Sequence, residues 1–261
     1  MTILNAVLVL AGIGLVCAVG LVFAAKFMFV PTNPKIDEVT EALPGANCGA
    51  CGFAGCSDYA KAVAEGRAET NLCVPGADAV AANVAAIMGV AAEDVVEMVA
   101  VVACRGCTSD EPKYDYAGVR SCAAESMLQG GPSACRYGCL GCGDCAEACP
   151  FDAICVENGV AYIDPVACKG CGRCVGVCPK RLIKLVPEVK NSVVLCTNAD
   201  KGAATRKVCG HGCIGCMKCQ KICPNEAIKV VDNRAVIDVD KCTQCKACVG
   251  ECPVHCIQIK P

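Results

Sequence analysis

The chain has 261 residues, of which 29 are cysteine and none is tryptophan, and its formal net charge is −2. Such a cysteine content is typical either of a disulfide scaffold or of a metal protein. The Lys and Arg residues are dispersed and lack interleaved aromatic residues, which argues against nucleic acid as a partner. Many cysteines stand only two residues apart, so several sulfurs share one short loop. This grouping favours metal sites over disulfides and implies a reducing compartment.

The N-terminal segment is almost wholly apolar from Ile3 to Ala25, interrupted only by Asn5. About 20 such residues suffice to cross a bilayer as a helix, so residues 1–30 are predicted to be a transmembrane anchor in contact with membrane lipid. A cleaved secretory signal is disfavoured because no basic segment precedes the long apolar run. Lys26 and Lys35 follow the run. The positive-inside rule therefore predicts a single-pass protein of the cytoplasmic membrane, with its N-terminus outside and its cluster domains facing the cytoplasm.

Residues 31–47 are predicted to be a linker that contains a short helix over 35–43, and residues 48–103 a small cluster-binding domain. The elements predicted in this domain are helices over 57–69 and 77–88 and a buried strand over 95–104. Its Cys-x2-Cys-x4-Cys-x16-Cys motif is rich in glycine, which permits a tight loop around a cluster. Zinc is the alternative metal, and iron is favoured because the later motifs are typical of iron. The predicted ligands of this site 1 are Cys48, Cys51, Cys56 and Cys73.

Residues 104–136 are predicted to be a connector that carries cysteines at wide intervals. These cysteines are candidate ligands of a further cluster, and the spacing leaves the set open because Cys196 or Cys209 can replace one of them. The candidate set is Cys104, Cys107, Cys122 and Cys135. In that assignment the remaining cysteines are structural, namely Cys17, Cys155, Cys196, Cys209 and Cys256, with Cys155 and Cys256 expected to pack in a core.

Residues 137–190 and 191–261 are predicted to be two ferredoxin-like modules, because each contains two copies of Cys-x2-Cys-x2-Cys-x3-Cys-Pro. In this pattern three close cysteines bind one 4Fe-4S cluster, and the fourth reaches the neighbouring cluster. Hairpins are predicted after the first copy of each module, from strands over 153–156 and 161–164 and over 227–230 and 235–238. The predicted ligands are Cys139, Cys142, Cys145 and Cys178 for site 2, Cys168, Cys171, Cys174 and Cys149 for site 3, Cys213, Cys216, Cys219 and Cys252 for site 4, and Cys242, Cys245, Cys248 and Cys223 for site 5.

The predicted chemistry is electron transfer, because the sequence contains no phosphate-binding loop and no arrangement of a nucleophile and a general base. Paired clusters provide successive one-electron sites. Charge differs along the chain: residues 31–165 carry 7 basic and 19 acidic side chains, and residues 166–261 carry 16 basic and 7 acidic. The basic half either compensates the anionic clusters or forms a docking face for an acidic protein, and compensation is the favoured interpretation.

The order of these motifs resembles the B subunit of the Rnf complex. The resemblance is carried by the apolar N-terminal segment, the run Pro44-Gly-Ala-Asn-Cys48, the stretch Tyr137-Gly-Cys139 and the stretch Gly212-Cys-Ile-Gly-Cys216. It implies an electron-relay subunit of an ion-translocating ferredoxin:NAD oxidoreductase of the bacterial cytoplasmic membrane, without a catalytic side chain of its own. The implied partners are soluble ferredoxin as electron donor and the other subunits of the complex.

The sequence as a whole predicts an α+β protein with an N-terminal transmembrane helix, a small 4Fe-4S domain and two bacterial-type ferredoxin-like modules. Five 4Fe-4S clusters are expected, and six if the connector cysteines bind one. Two other functions stay open. A membrane-tethered polyferredoxin serving a hydrogenase or another oxidoreductase shares the ferredoxin motifs, although it does not need the site 1 motif. A scaffold or sensor that contains clusters predicts no rapid reduction by ferredoxin.

Overall fold

The computed structural model describes residues 2–27, 33–106, 112–188 and 191–260. The helices are α1 (Thr2–Phe27), α2 (Pro34–Ala42), α3 (Cys56–Ala64), α4 (Ala77–Met88), α5 (Cys122–Met127), α6 (Asp144–Glu147), α7 (Arg173–Val177), α8 (Gly202–Val208), α9 (Lys218–Ile222) and α10 (Ala247–Gly250). The strands are β1 (Met98–Val102), β2 (Ile154–Glu157), β3 (Val160–Ile163), β4 (Ile183–Pro187), β5 (Asn191–Val194), β6 (Ile228–Val231), β7 (Arg234–Ile237) and β8 (Ile257–Lys260). The mixture of short helices and small sheets agrees with the predicted α+β class.

The N-terminal segment is helical, as α1, yet it corrects one part of the predicted fold. Across the residues that the structure describes, no helix is both long and apolar enough to cross a membrane. A spanning helix needs about 20 consecutive apolar residues. The predictions of a transmembrane anchor and of a single-pass location in the cytoplasmic membrane are therefore wrong.

Helices α2, α3 and α4 form the small domain around site 1. Their apolar faces meet in a core that contains Val39, Tyr59, Val63 and Val84, each 1 % exposed or less. Asn33 caps α2 by accepting a hydrogen bond from the backbone of Lys35, and α4 ends at Gly89, whose φ of 75° is a left-handed conformation. The helices predicted over 35–43, 57–69 and 77–88 are thereby confirmed, with α3 ending at Ala64, before the predicted residue 69.

Each ferredoxin-like module contains the predicted hairpin, with β2 paired to β3 in the first module and β6 paired to β7 in the second. The two-residue turns, Asn158–Gly159 and Asp232–Asn233, have positive φ throughout. Positive φ at both positions is the hallmark of the type I′ turn, which matches the twist of antiparallel strands. The two hairpins are therefore equivalent elements of a duplicated unit.

A second two-stranded sheet in each module brings in a strand from outside the cysteine motifs. Strand β1 pairs with β4, and strand β5 pairs with β8, both antiparallel. The strand predicted over 95–104, which the predicted boundaries place in the site 1 domain, thus joins the sheet of the first ferredoxin-like module. Val101, Val186 and Leu195 form a shared core between the two modules. Residues 98–187 and 191–260 are consequently two copies of the same strand-plus-ferredoxin unit.

Candidate iron–sulfur sites

The four cysteines predicted for site 1 line one cavity at the start of α3. Cys56 is the first residue of α3, and its backbone N–H donates to Asn47 Oδ1 at 2.8 Å, which fixes the preceding loop against the helix. Burial, with a further contribution from the thiols of Cys56, Cys48 and Cys51, raises the pKa of Cys73 to about 11. The four sulfurs are thus close enough to repel one another as thiolates, a cost that a bound cationic metal offsets.

In the first ferredoxin-like module the fourth cysteine of each motif lies at the other site, as the pattern predicts. The cavity at site 3 is lined by Cys149 together with Cys168, Cys171 and Cys174. The cavity at site 2 is lined by Cys139, Cys145 and Cys178. Burial and the neighbouring thiols raise the pKa of Cys174 to about 12 and of Cys145 to about 11.

In the second module the cysteines of site 4 also converge. Burial and the charges of Cys213, Cys216 and Cys252 raise the pKa of Cys219 to about 11, so all four predicted sulfurs are neighbours. At site 5 burial raises the pKa of Cys248, and the thiols of Cys242 and Cys245 add to this effect. Cys223 packs against the same core as Cys248. The core of this module is therefore built largely from cysteines.

The structure places Cys122, predicted as a ligand of a connector site, at site 2 instead. It lines the site 2 cavity, and burial together with Cys122 and Glu125 raises the pKa of Cys142 to about 12. Asp144 holds Cys122 in this position, because its two carboxylate oxygens accept the backbone N–H groups of Cys122 and Ala123 at 2.8 and 3.1 Å. Sequence spacing did not reveal this fifth thiol, because Cys122 reaches site 2 through the fold of α5.

Cys256 occupies a similar place at site 4. It is 1 % exposed, which confirms its predicted packing in a core, and its sulfur lies 3.5 Å from that of Cys252. A hydrogen bond with Cys256 lowers the pKa of Cys213. Cys155, by contrast, is exposed, so the prediction that it packs in a core is wrong, and Cys17 is also exposed. Cys155 follows the inward-facing Ile154 in β2 and therefore points to the opposite face.

The other connector cysteines are placed differently from their predicted grouping. Cys104 and Cys135 line one cavity together with Cys196 and Cys209, whereas Cys107 lies outside the described residues. Sequence reasoning named Cys196 and Cys209 only as substitutes for a single ligand. The signal that identifies them is the duplication itself, since Cys209 stands four residues before Cys213 as Cys135 stands four residues before Cys139.

The donor sets of sites 1 to 4 fit a 4Fe-4S cluster, whose iron atoms are held by four cysteine thiolates. Backbone N–H groups also point at the sulfurs: Ala100 donates to Cys168 Sγ at 3.4 Å, and Ala235 donates to Cys213 Sγ at 3.4 Å. Such N–H···S bonds stabilise the negative charge of a ligated cluster and tune its potential. The same geometry supplies neither a general base nor a nucleophile.

Neighbouring sites adjoin one another. Burial raises the pKa of Cys171 of site 3, and Cys48 of site 1 adds to it. Cys145 of site 2 contributes in the same way, after Cys168, Cys171 and Cys149, to the raised pKa of Cys174. Sites 1, 3 and 2 therefore form a continuous series.

Comparison with known protein families agrees with this division of the chain. Residues 43–75 match the family described as "Putative Fe-S cluster". Residues 138–182 and residues 207–253 each match a family described as "4Fe-4S dicluster domain". The three matches coincide with the site 1 domain and with the two ferredoxin-like modules, and they support 4Fe-4S clusters as the cofactors.

Curated relatives resemble the chain over nearly its whole length. The B subunit of the Na(+)-translocating ferredoxin:NAD(+) oxidoreductase complex of Acetobacterium woodii is 45% identical over 97% of this chain and 78% of the relative. The B subunit of the proton-translocating ferredoxin:NAD(+) oxidoreductase complex of Clostridium ljungdahlii is 44% identical over 98% of this chain and 92% of the relative. The B subunit of the ion-translocating oxidoreductase complex of Methanosarcina acetivorans is 41% identical over 99% of this chain and 98% of the relative. With its cluster sites arranged in series, the chain belongs to the family of B subunits of ion-translocating oxidoreductase complexes.

Proposed function

We propose that this chain relays electrons from reduced ferredoxin, through a series of 4Fe-4S clusters, to other subunits of an ion-translocating ferredoxin:NAD oxidoreductase complex. Each reduced ferredoxin gives up one electron and becomes oxidised. Two such electrons and one proton convert NAD+ to NADH on another subunit. The observation that carries the proposal is the series of adjoining four-cysteine sites, in which Cys48 of site 1 acts electrostatically on Cys171 of site 3. The family relationship supports the identity of the partners.

The proposed ligands are the cysteines predicted for each site. They are Cys48, Cys51, Cys56 and Cys73 at site 1, Cys139, Cys142, Cys145 and Cys178 at site 2, Cys168, Cys171, Cys174 and Cys149 at site 3, Cys213, Cys216, Cys219 and Cys252 at site 4, and Cys242, Cys245, Cys248 and Cys223 at site 5. The clusters when bound supply one-electron redox chemistry. The protein holds them in sequence, shields most of their sulfurs from water and directs N–H groups at the thiolates.

Electron entry is proposed at the second ferredoxin-like module. Cys216 and Cys245 are exposed, whereas the corresponding Cys142 and Cys171 of the first module are partly buried. Exposed basic residues stand near Cys216, among them Lys218 and Lys221 on α9. An exposed ligand gives a soluble donor close access to its cluster. A positive surface attracts an acidic ferredoxin over distances of about 10 Å at ordinary ionic strength.

Stopped-flow mixing of the holoprotein with reduced ferredoxin tests the relay, because the clusters lose visible absorbance when they are reduced. The double variant Lys218→Glu/Lys221→Glu is expected to slow the bimolecular step about tenfold at low salt, and the difference shrinks at high salt. The matched control, Lys35→Glu/Lys61→Glu, changes two exposed helical lysines in the site 1 domain and leaves the rate unchanged. Absence of reduction on the timescale of turnover contradicts the relay. Equal slowing of both variants contradicts entry at the second module.

Co-purification with the other subunits of the complex distinguishes this function from that of a polyferredoxin that donates electrons to a hydrogenase.

A further inference from the structure

We propose that Cys104, Cys135, Cys196 and Cys209 form a sixth iron–sulfur site at the junction of the two ferredoxin-like modules, where it connects site 2 to site 4. The ligand assignment stands on geometry alone, and only the connecting role rests on the proposed relay function. The set differs from the one predicted from sequence, because Cys196 and Cys209 replace Cys107 and Cys122.

The four cysteines line a single cavity, and each module contributes two of them. Cys104 stands two residues after the end of β1, and Cys196 stands two residues after the end of β5, which is the equivalent strand of the second module. Cys135 and Cys209 each precede the first cysteine of the adjoining ferredoxin motif by four residues. Equivalent positions of a duplicated unit therefore face each other. Four sulfurs converge on one space because the two copies pack against each other.

The cavity is lined by groups that suit sulfur ligands. Asn198 is 2 % exposed, and its amide Nδ2 approaches Cys135 Sγ at 3.8 Å while its Oδ1 accepts the N–H of Asp200 at 2.7 Å. The backbone N–H of Gly106 donates to Cys104 Sγ at 3.4 Å, and that of Cys213 donates to Cys196 Sγ at 3.2 Å. Three of the four sulfurs thus have an N–H group directed at them, which is the arrangement that stabilises ligated thiolates.

His211 is a further polar residue beside this cavity. It lines the cavity, and among the described residues its Nδ1 is buried without a hydrogen-bond partner. A cluster bound here would offer sulfur acceptors next to this side chain.

Hydrogen bonds join the two modules beside the cavity. Arg105 donates from Nη1 to the carbonyl of His255 at 3.0 Å. Thr197 donates from Oγ1 to the carbonyl of Tyr137 at 3.3 Å, and the Tyr137 hydroxyl lies 3.4 Å from Asp200 Oδ1. These bonds each join one module to the other, so the positions of the four thiols relative to one another are held by the fold.

The position of the site favours an iron–sulfur cluster over zinc. Cys139 of site 2 contacts Cys104 through its backbone N–H, and Cys213 of site 4 contacts Cys196 in the same way. The site is therefore joined by direct hydrogen bonds to a ligand of site 2 and to a ligand of site 4. Zinc has no redox chemistry and would interrupt the series at this point. A cluster held by these four cysteines would supply a one-electron site between site 4 and site 2.

Metal and acid-labile sulfide analysis of the full chain tests the ligand assignment. The unmodified protein is expected to contain about 24 iron atoms, and Cys196→Ser and Cys209→Ser are each expected to lack about four iron and four sulfide. Cys155→Ser, at an exposed cysteine that is not among the lining residues of the cluster cavities, is the matched control and keeps the full content. Full iron content in both Cys196→Ser and Cys209→Ser overturns the proposal.

A crystallographic measurement on the unmodified holoprotein keeps the test decisive if the variants do not fold. Anomalous scattering recorded on both sides of the iron and zinc absorption edges locates each metal. An iron peak among Cys104, Cys135, Cys196 and Cys209 supports the proposal, whereas a zinc peak or no peak there refutes it.

The connecting role is measured separately. Rapid-freeze spectroscopy of Cys209→Ser mixed with reduced ferredoxin is expected to show sites 4 and 5 reduced and sites 1 to 3 still oxidised. Failure of ferredoxin to reduce any site contradicts the relay and leaves the iron count intact.

Discussion

Replacement of Gly170 by alanine is expected to destabilise site 3 through its contact with strand β1. Gly170 lies between Cys168 and Cys171 at a φ of 61°, and a Cβ atom added there would stand 2.2 Å from the carbonyl oxygen of Met98. The neighbouring residue Ala100 donates its N–H to Cys168 Sγ, so β1 both buries the cluster loop and hydrogen bonds to a ligand. The loop that contains Gly170 and strand β1 therefore cannot move apart without weakening the hydrogen bond to Cys168.

Two effects set the size of this perturbation. A residue with a Cβ at left-handed φ costs about 1–2 kcal/mol, and overpacking against a rigid neighbour adds about 1–3 kcal/mol. The matched control is Gly66→Ala, because Gly66 has a φ of 70° and no atom within 4 Å of the added Cβ. The control carries only the first cost. The contact with Met98 alone should therefore speed the loss of the cluster about 5- to 150-fold in Gly170→Ala relative to the control.

The rate of cluster loss is the appropriate measurement, because unfolding of a protein that releases iron is irreversible and has no equilibrium free energy. Visible absorbance is followed after dilution of each variant into urea without oxygen. Iron analysis of the surviving protein should show an early loss of about four iron atoms in Gly170→Ala, the content of one cluster. Equal rates for Gly170→Ala and Gly66→Ala would show that β1 does not confine the cluster loop, and the assignment of β1 to the first module would lose its energetic basis.

Other perturbations have equally definite outcomes. Met217→Gly should slow cluster loss in urea by about fivefold or less. Met217 has a φ of 60°, a left-handed conformation that the equivalent Gly143 of the first module adopts without strain, and removing the strain contributes about 1 kcal/mol. Tyr59→Phe should speed the loss of the site 1 cluster in urea about 5- to 150-fold, because the buried hydroxyl donates to the carbonyl of Glu69 at 2.8 Å and accepts from the N–H of Leu72 at 3.3 Å. Asn198→Ala should speed cluster loss at the module junction by about the same factor and shift the potential of the sixth site, measured by redox titration. Removal of iron with a strong chelator should abolish near-ultraviolet dichroism and protease resistance, and native-like signals in the apo form would refute the dependence of folding on clusters.

Short-range cysteine spacing predicted the neighbourhoods of the first four sites because each motif places three sulfurs on one loop. The exchange of fourth cysteines also follows from the pattern, and Cys149 lies with Cys168, Cys171 and Cys174 as expected. Helix α4 spans Ala77–Met88, the range that the apolar period and Gly89 predicted. In all of these cases the information lies within a few turns of chain, where spacing and turn chemistry determine geometry.

Long-range relations were the part that spacing could not supply. Cys104 and Cys196 meet only because β1 and β5 occupy equivalent edges of two packed modules, a relation that no count of intervening residues encodes. Cys122 reaches site 2 because Asp144 caps the start of α5. The apolar composition of residues 3–25 likewise predicted a membrane span, although no described helix meets the requirement. The exposure of Cys155, by contrast, is predictable from sequence. Side chains alternate between the two faces of a strand, so Cys155 points away from the face of the buried Ile154.

A cluster at the junction between the modules would also fix the distance between them. Electron transfer between sites 2 and 4 requires a fixed distance, yet the interface contains few large apolar side chains, with Val101, Val186 and Leu195 as its shared core. A cluster bound by two cysteines from each module would cross-link them, because metal binding free energy becomes folding free energy when the site exists only in the folded state. The four cysteines that hold this cluster would then also hold the two modules in a fixed relative position. A loss of the sixth cluster should therefore loosen the two modules relative to each other, which limited proteolysis would detect as faster separation of the modules in Cys209→Ser than in Cys155→Ser.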